Sequence, residues 1–124
     1  MARAMKVAIV DDEADMRQSI SQWLALSGFD TETYASAEEA LKVIGPDFQG
    51  VVVSDIKMPG MDGMAFLKRL MGQDSGLPVI MITGHGDVPM AVEAMRVGAL
   101  DNLAVHLEYK AQNAVRRRVL RAKI

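Results

Sequence analysis

The chain has 124 residues, of which 50% are hydrophobic and 24% are charged, a balance that indicates one folded domain and excludes a largely disordered chain. It contains no cysteine, which excludes disulfide bonds, a thiolate nucleophile and a cysteine-ligated zinc site, and which is typical of a reducing compartment such as the cytoplasm. The net charge of −2 argues against nucleic-acid binding through overall basic charge, and the one basic cluster is of the kind that complements the C-terminal end of a helix: Arg116, Arg117, Arg118, Arg121 and Lys123.

The first two predicted elements are a buried strand and a helix. Residues 6–10 form a short run rich in β-branched side chains that stops at Asp11 and Asp12, which predicts a strand ending in carboxylates. Residues 14–26 carry apolar side chains at helical spacing, and Ser27-Gly28 after them is a typical helix stop.

A weaker strand and a second helix come next. Residues 31–34 are a short and more polar strand candidate. Ser36, with a glutamate three residues later, has the pattern of a capping box, which predicts a helix that runs through Ile44 before Gly45-Pro46 ends it.

The third strand and helix are separated by a loop. Residues 50–54 predict a second buried strand, which again runs into a carboxylate, Asp55. Residues 58–63 have the proline, glycine and aspartate content of a loop, and residues 64–71 return to helical spacing.

Two further strand–helix pairs complete the chain. Residues 78–82 predict a third buried strand that ends at Thr83, and Asp87 is predicted to cap the helix that follows. Residues 100–107 alternate weakly like a strand, and residues 108–123 carry apolar side chains at the four-residue steps of a final helix.

This alternation predicts an α/β fold, (βα)5 and doubly wound, in which a five-stranded parallel sheet forms the middle layer of a flavodoxin-like three-layer sandwich. Continuous apolar runs favour a parallel sheet because its strands are covered on both faces. We expect a single domain over residues 1–124. In such sheets, function collects at the carboxyl ends of the strands, near the point where strand order reverses.

Four polar side chains are predicted to meet at those strand ends: Asp11, Asp12, Asp55 and Thr83. Three crowded carboxylates repel one another and raise their own pKa values unless a cation neutralises them, and oxygen ligands without histidine or cysteine favour Mg²⁺. A carboxylate in this position can also attack a phosphoryl group to give an aspartyl phosphate, whose oxygens a threonine hydroxyl could hold.

A simpler interpretation exists for each residue alone. Asp11 and Asp12 could merely cap the first helix, since aspartate is a preferred N-cap residue, and threonine is common at strand ends. Asp55 has no such explanation, because it sits in a tight connection where burying a lone charge is costly. The combination favours a phosphoryl-accepting site.

Three segments resemble the receiver domain of bacterial two-component response regulators: VDDE at residues 10–13, SDIKMPGMDG at 54–63 and ITGHGDVPMAVEAMRVGA at 82–99. The last two look most like receivers of the nitrogen-fixation and dicarboxylate-transport regulator groups. The resemblance covers nearly the whole chain.

The resemblance implies a role for each matching residue. Asp55 occupies the phosphoacceptor position, Asp12 that of the direct Mg²⁺ ligand, and Asp11 that of a neighbour which reaches the ion through water. The backbone carbonyl of Lys57 would be the remaining protein ligand of the metal. Thr83 takes the position of the switch hydroxyl that hydrogen-bonds the phosphoryl group.

The resemblance also implies partners. A sensor histidine kinase would donate the phosphoryl group, small acyl phosphates could replace it, and a homodimer could form through the fourth and fifth helices. In these regulators a DNA-binding or ATPase module follows the receiver. No such output module is present here, so we expect control of transcription, and contact with DNA, only through an absent module. The chain has neither a signal-peptide core nor an apolar run long enough to span a bilayer, so no membrane contact and a cytoplasmic location are expected.

The chain departs from the receiver pattern after Gly98-Ala99. The lysine that normally pairs with the phosphoacceptor is replaced by Val105, the following proline by His106, and the switch aromatic by Asn102. Val105 can make no charge-assisted bond to the phosphoryl group, and Asn102 is too small and polar for the packing role of the aromatic. Signalling through the switch is therefore expected to be impaired.

Three hypotheses remain open from the sequence. The first is a phosphoacceptor receiver with an intact acidic pocket and an impaired switch, and the second is a degenerate receiver that acts as a phosphorylation-independent interaction module. The third is an enzyme such as an aspartate-nucleophile phosphohydrolase, which needs an acidic residue where this chain has Lys57. There is also no phosphate-binding GK[ST] loop or dinucleotide fingerprint, so the sequence predicts that the chain is not an enzyme.

Overall fold

Five strands alternate with four helices in a computed structural model that describes residues 5–83, 88–104, 117, 119 and 120. The strands are β1 (Lys6–Val10), β2 (Asp30–Tyr34), β3 (Val51–Asp55), β4 (Val79–Thr83) and β5 (Asp101–Ala104). The helices are α1 (Ala14–Leu26), α2 (Ala37–Leu41), α3 (Gly63–Gln73) and α4 (Val88–Val97).

All strand pairs are parallel, and the sheet order is β2-β1-β3-β4-β5. The chain goes outward from β1 to β2 and then crosses to the other side at β3, so the strand order reverses between β1 and β3. In parallel α/β sheets a crevice opens at this point, outside the carboxyl ends of the strands. The predicted α/β fold class is confirmed.

The sheet is buried on both faces, as the continuous apolar runs predict. One face packs Val7 and Ile9 of β1 against Ile20 and Leu24 of α1, and Val119 joins this cluster. The other face packs the alternate strand residues against the three remaining helices: Ala8, Val10, Val52, Val79 and Met81 from the strands, with Ala37, Ala40, Phe66, Leu67, Leu70 and Ala94 from the helices. The strands therefore form the middle of three layers.

The structure differs from the sequence-based expectation at several element ends. Helix α2 ends at Leu41 rather than Ile44, because the amides of Lys42 and Val43 bond carbonyls three residues back and tighten the last turn before Gly45-Pro46. Helix α3 is longer than predicted and begins at Gly63, since the Asp62 side chain caps it.

Most of the predicted final helix lies outside the described residues. The three of its residues that are described, 117, 119 and 120, are helical. The predicted cap Asp87 and residues 105–107 of the last strand also lie outside the described part of the chain. Within that part, every helix is too short or too polar to cross a membrane.

Two leucines in the last turn of α1 allow a matched test of this core. Leu24 is fully buried, whereas Leu26, two residues later, is 88% exposed. Because a truncated core leucine loses apolar burial and leaves a cavity, Leu24→Ala is expected to lower the free energy of unfolding by about 2–5 kcal/mol in urea denaturation. Leu26→Ala should change it by less than about 0.5 kcal/mol, and similar losses for both variants would contradict the packing described here.

Candidate functional site

Three aspartates from two neighbouring strand ends meet at the point where strand order reverses. Asp11 and Asp12 directly follow β1, and Asp55 is the last residue of β3, which pairs with β1 so that Val10 lies opposite Ser54. One carboxylate oxygen from each aspartate lies within 4.8 Å of the others. The structure therefore brings together the three acidic residues that the sequence places at the strand ends.

The three carboxylates differ in their exposure to solvent. Asp11 is only 3% exposed, Asp55 is partly buried, and Asp12 is exposed. The cluster thus has a buried floor at Asp11 and an open side at Asp12. A ligand from solvent could reach Asp55 without any rearrangement of the core.

The main chain and side chain of Asp11 are fixed by three hydrogen bonds. Its amide donates to the carbonyl of Tyr34 at the end of β2 (3.1 Å), and its carboxylate accepts from the amide of Glu13 (2.9 Å). Its carbonyl oxygen accepts from the Arg17 guanidinium at 2.7 Å. These bonds hold the β1–α1 loop against the end of the sheet.

Helix capping does not account for the paired aspartates. Glu13 occupies the N-cap position of α1, and its side chain makes no capping hydrogen bond. The carboxylate of Asp11 bonds the amide of that N-cap residue rather than an amide of the first helical turn. Asp11 is instead directed into the acidic cluster.

Burial and mutual repulsion both disfavour the ionised forms of Asp11 and Asp55. Burial is the main cause that raises the pKa of Asp11 to about 6, and repulsion from Asp55, Asp12 and Glu13 adds to it against the opposing bond from the Glu13 amide. Burial also raises the pKa of Asp55, with repulsion from Asp12 and Glu13 adding to it, while the amides of Lys57 and Ile56 oppose the shift. Both acids would ionise more readily beside a cation.

The loop from Asp55 to α3 is pulled tightly onto the strand end. The amide of Lys57 lies 3.4 Å from the Asp55 carboxylate, and the amide of Gly63 donates to the Ile56 carbonyl at 2.6 Å. A Cβ atom at Gly63 would lie 2.2 Å from the Asp55 carbonyl oxygen, so only glycine fits there. This close approach fixes how near the loop lies to the end of β3.

A second contact holds the middle of the same loop from α2. The Glu38 carboxylate accepts from the amide of Met61 at 3.3 Å, and it lies so near Gly60 that a Cβ atom there would be 2.7 Å from it. Gly60 has a φ of +73°, which a side chain would strain. The loop beyond Asp55 is therefore fixed at its middle and at its end.

Thr83 is the last residue of β4, at the strand end where the sequence predicts it. In the strand register Asp55 lies opposite Ile82, and the amide of Ile56 donates to the Ile82 carbonyl at 3.1 Å. The main chain of Thr83 thus reaches the same edge of the sheet as Asp55. Asn102 lies in β5 opposite Met81, whereas Val105 and His106 fall outside the described residues.

Sequence patterns did not single out Arg17 or Tyr34, and they assigned Gly63 only to a loop. For Gly63 a usable signal exists, because aspartate followed by glycine just before a helical pattern marks a capped and closely packed turn. Arg17 has no comparable signal, since an arginine within a helix is most often solvated. Tyr34 acts through its main-chain carbonyl, which no side-chain pattern reveals.

The sequence of this chain is similar to those of known regulatory proteins. Residues 7–108 match the sequence profile described as "Response regulator receiver domain". The chain is 48% identical over 104 residues to the C4-dicarboxylate transport transcriptional regulatory protein DctD of Rhizobium meliloti (strain 1021), covering 84% of this chain and 23% of DctD. It is 44% identical over 97 residues to the transcriptional regulatory protein FixJ of Bradyrhizobium diazoefficiens, covering 78% of this chain and 47% of FixJ.

Solved structures give the same result. The crystal structure of FixJ-N matches with a TM-score of 0.86 and 40% identity over 98% of this chain and 94% of that one. A receiver domain protein from Clostridium thermocellum matches with a TM-score of 0.83 and 30% identity, over 96% of this chain and 97% of that one. The chain spans less than half the length of DctD and FixJ, so only that part of each relative is comparable.

The raised pKa of Asp11 predicts how its substitution changes stability with pH. Because the folded protein holds the Asp11 proton up to about pH 6, against an ordinary value of 3.8, stability is lost as the pH rises through this range. In magnesium-free buffer at about pH 7.5, Asp11→Asn should therefore raise the free energy of unfolding by about 1–3 kcal/mol, while keeping an oxygen to accept the Glu13 amide bond.

The matched control is Asp47→Asn, which removes one exposed carboxylate that lies before the start of β3, at the opposite end of that strand from Asp55. It should leave the urea unfolding curve almost unchanged at every pH. The gain from Asp11→Asn should nearly disappear at about pH 3.5, where the carboxyl is mostly protonated in both states. Equal stability of Asp11→Asn and the unaltered chain at about pH 7.5 would contradict the described electrostatics.

Proposed function

The chain belongs to the response regulator receiver domain family, and we propose that it accepts a phosphoryl group from a histidine kinase onto Asp55 in the presence of Mg²⁺. The observation that carries the proposal is the meeting of Asp11, Asp12 and Asp55 within 4.8 Å at the strand-order reversal. Asp55 is the member that combines partial exposure with a position at the end of a core strand.

The donor set fits Mg²⁺ on chemical grounds. It offers hard carboxylate oxygens, and its mutual repulsion is relieved by a divalent cation. In the proposed site Asp12, Asp55 and the Lys57 carbonyl would hold the ion, and Asp11 would reach it through water. When bound, the ion neutralises negative charge on the phosphoryl oxygens and the carboxylates.

The proposed reaction transfers a phosphoryl group from a histidine of the kinase to Asp55. A carboxylate oxygen of Asp55 forms a bond to phosphorus while the bond from phosphorus to the kinase histidine nitrogen breaks, and the imidazole leaves with the electron pair. With a small acyl phosphate the leaving group is a carboxylate instead. The Thr83 hydroxyl is proposed to hydrogen-bond the transferred phosphoryl group and act as the switch residue.

The output of the domain is proposed from its relatives. DctD and FixJ are transcriptional regulatory proteins by name, and this chain matches less than half of each, so we propose that it controls transcription through a module outside the matched part. Contact with DNA would be indirect. A homodimer through the fourth and fifth helices is supported by an apolar stripe on α4, whose members are 67%, 56% and 46% exposed: Val88, Val92 and Met95.

The alternative is a degenerate receiver that binds a partner without phosphorylation. It is favoured by Val105 and Asn102, which replace the lysine and the aromatic of the receiver pattern. Both proposals keep the acidic pocket. They differ in whether phosphorylation of Asp55 changes the surface formed by α4 and β5.

Phosphoryl acceptance is tested by incubation with acetyl phosphate and Mg²⁺, followed by intact-mass spectrometry. The chain is expected to gain about 80 Da, and Asp55→Asn should gain nothing because the nucleophilic carboxylate is lost. Asp47→Asn, an exposed substitution elsewhere, should gain as much as the unaltered chain. No mass gain with acetyl phosphate, together with no binding of beryllofluoride, would overturn the proposal.

The impaired switch is tested by restoring the missing groups. The double variant Asn102→Tyr, Val105→Lys is expected to dimerise more strongly on beryllofluoride addition than the unaltered chain, since the lysine can bond the phosphoryl mimic and the aromatic can repack. Analytical ultracentrifugation with and without beryllofluoride measures this difference. If the unaltered chain already dimerises fully with the mimic, Val105 and Asn102 do not impair switching.

A further inference from the structure

We propose that Arg17 is a positioning residue of the metal pocket, which holds the main chain of Asp11 where Mg²⁺ binding requires it. The inference rests on the proposed function, in which the pocket binds Mg²⁺. It assigns to a helix side chain outside the carboxylate cluster a role in the affinity of that cluster for the ion.

Arg17 bonds directly to the main chain of a pocket residue. Its Nη1 atom donates to the carbonyl oxygen of Asp11 at 2.7 Å, while its own amide bonds the Glu13 carbonyl at 2.9 Å in the first turn of α1. Arg17 therefore bridges from the helix back across the β1–α1 loop to the last peptide before Asp12. The bond is charge-assisted, which makes it one of the stronger hydrogen bonds in proteins.

The hydrogen bond from Arg17 matters because the carboxylates at the β1–α1 loop and at Asp55 repel one another. Asp11, Asp12 and Asp55 each place a carboxylate oxygen within 4.8 Å of the others, so their negative charges favour moving apart when no cation neutralises them. Movement of the β1–α1 loop, which carries Asp11 and Asp12, is one way in which they could separate. The bond from Tyr34 restrains the amide side of Asp11, and Arg17 restrains its carbonyl side.

The charge of Arg17 and its hydrogen bond to Asp11 predict opposite changes in Mg²⁺ affinity when the arginine is removed. A positive charge near a divalent-cation site opposes binding by Coulomb repulsion, so its removal alone would strengthen Mg²⁺ binding. If the hydrogen bond to Asp11 instead keeps the ligands together, its loss weakens binding, because part of the binding energy must then order the loop. The direction of the change thus separates the two roles.

The experiment measures Mg²⁺ affinity of the full chain by isothermal titration calorimetry at fixed ionic strength. Arg17→Met keeps the apolar stem and removes the donors, and it should raise the Mg²⁺ dissociation constant by about three- to tenfold. Arg17→Lys keeps a charge and a donor and should lose less. The control Arg69→Met removes a cation from an exposed position on α3 and should leave the affinity unchanged or slightly stronger.

A second readout serves if Arg17→Met is poorly folded. Hydrogen exchange of the Asp11 and Glu13 amides, both of which hold this loop, should be faster in Arg17→Lys than in the unaltered chain, and the difference should shrink with Mg²⁺. Unchanged or tighter Mg²⁺ binding by Arg17→Met, or unchanged exchange in Arg17→Lys, overturns the inference while the proposed function stands. If the unaltered chain does not bind Mg²⁺, both fail.

Discussion

Burial and mutual repulsion of the aspartates at the junction of β1 and β3 are the constraint on which this site depends. The parallel pairing of β1 with β3 brings Asp11, Asp12 and Asp55 together, and burial in the floor of the cleft raises the pKa of Asp11 to about 6. The folded chain therefore keeps an arrangement that is unfavourable by itself at neutral pH. In the proposed function, a divalent cation would relieve this repulsion on binding.

The surrounding structure is built to resist that repulsion. The Tyr34 carbonyl, the Arg17 guanidinium and the close approach of Gly63 each bind or contact the main chain of a pocket residue rather than its carboxylate. The carboxylates of Asp11 and Asp55 each accept a main-chain amide, from Glu13 and Lys57, and keep further lone pairs that a metal could use. The core behind the pocket is apolar on both faces of the sheet, so the strand ends have a rigid base.

The sequence predicts the fold and the acidic cluster because both follow from simple patterns. Apolar runs that stop at aspartate define the strand ends, and parallel topology then brings Asp11 and Asp55 together. It predicts less well what depends on local hydrogen bonding, such as the early end of α2, or on contacts across a loop, such as that of Arg17 with Asp11. The roles assigned to Thr83 and Lys57 come from a family resemblance and remain proposals.

If the cluster binds Mg²⁺, the free energy of unfolding of the chain should rise with the concentration of free Mg²⁺ at about pH 7.5. The increase should follow RT ln(1 + [Mg²⁺]/Kd) and reach about 2.7 kcal/mol at a hundred times the dissociation constant. Potassium chloride of matched ionic strength should not reproduce the increase. A free energy of unfolding that does not change with Mg²⁺ would show that the cluster does not bind the ion.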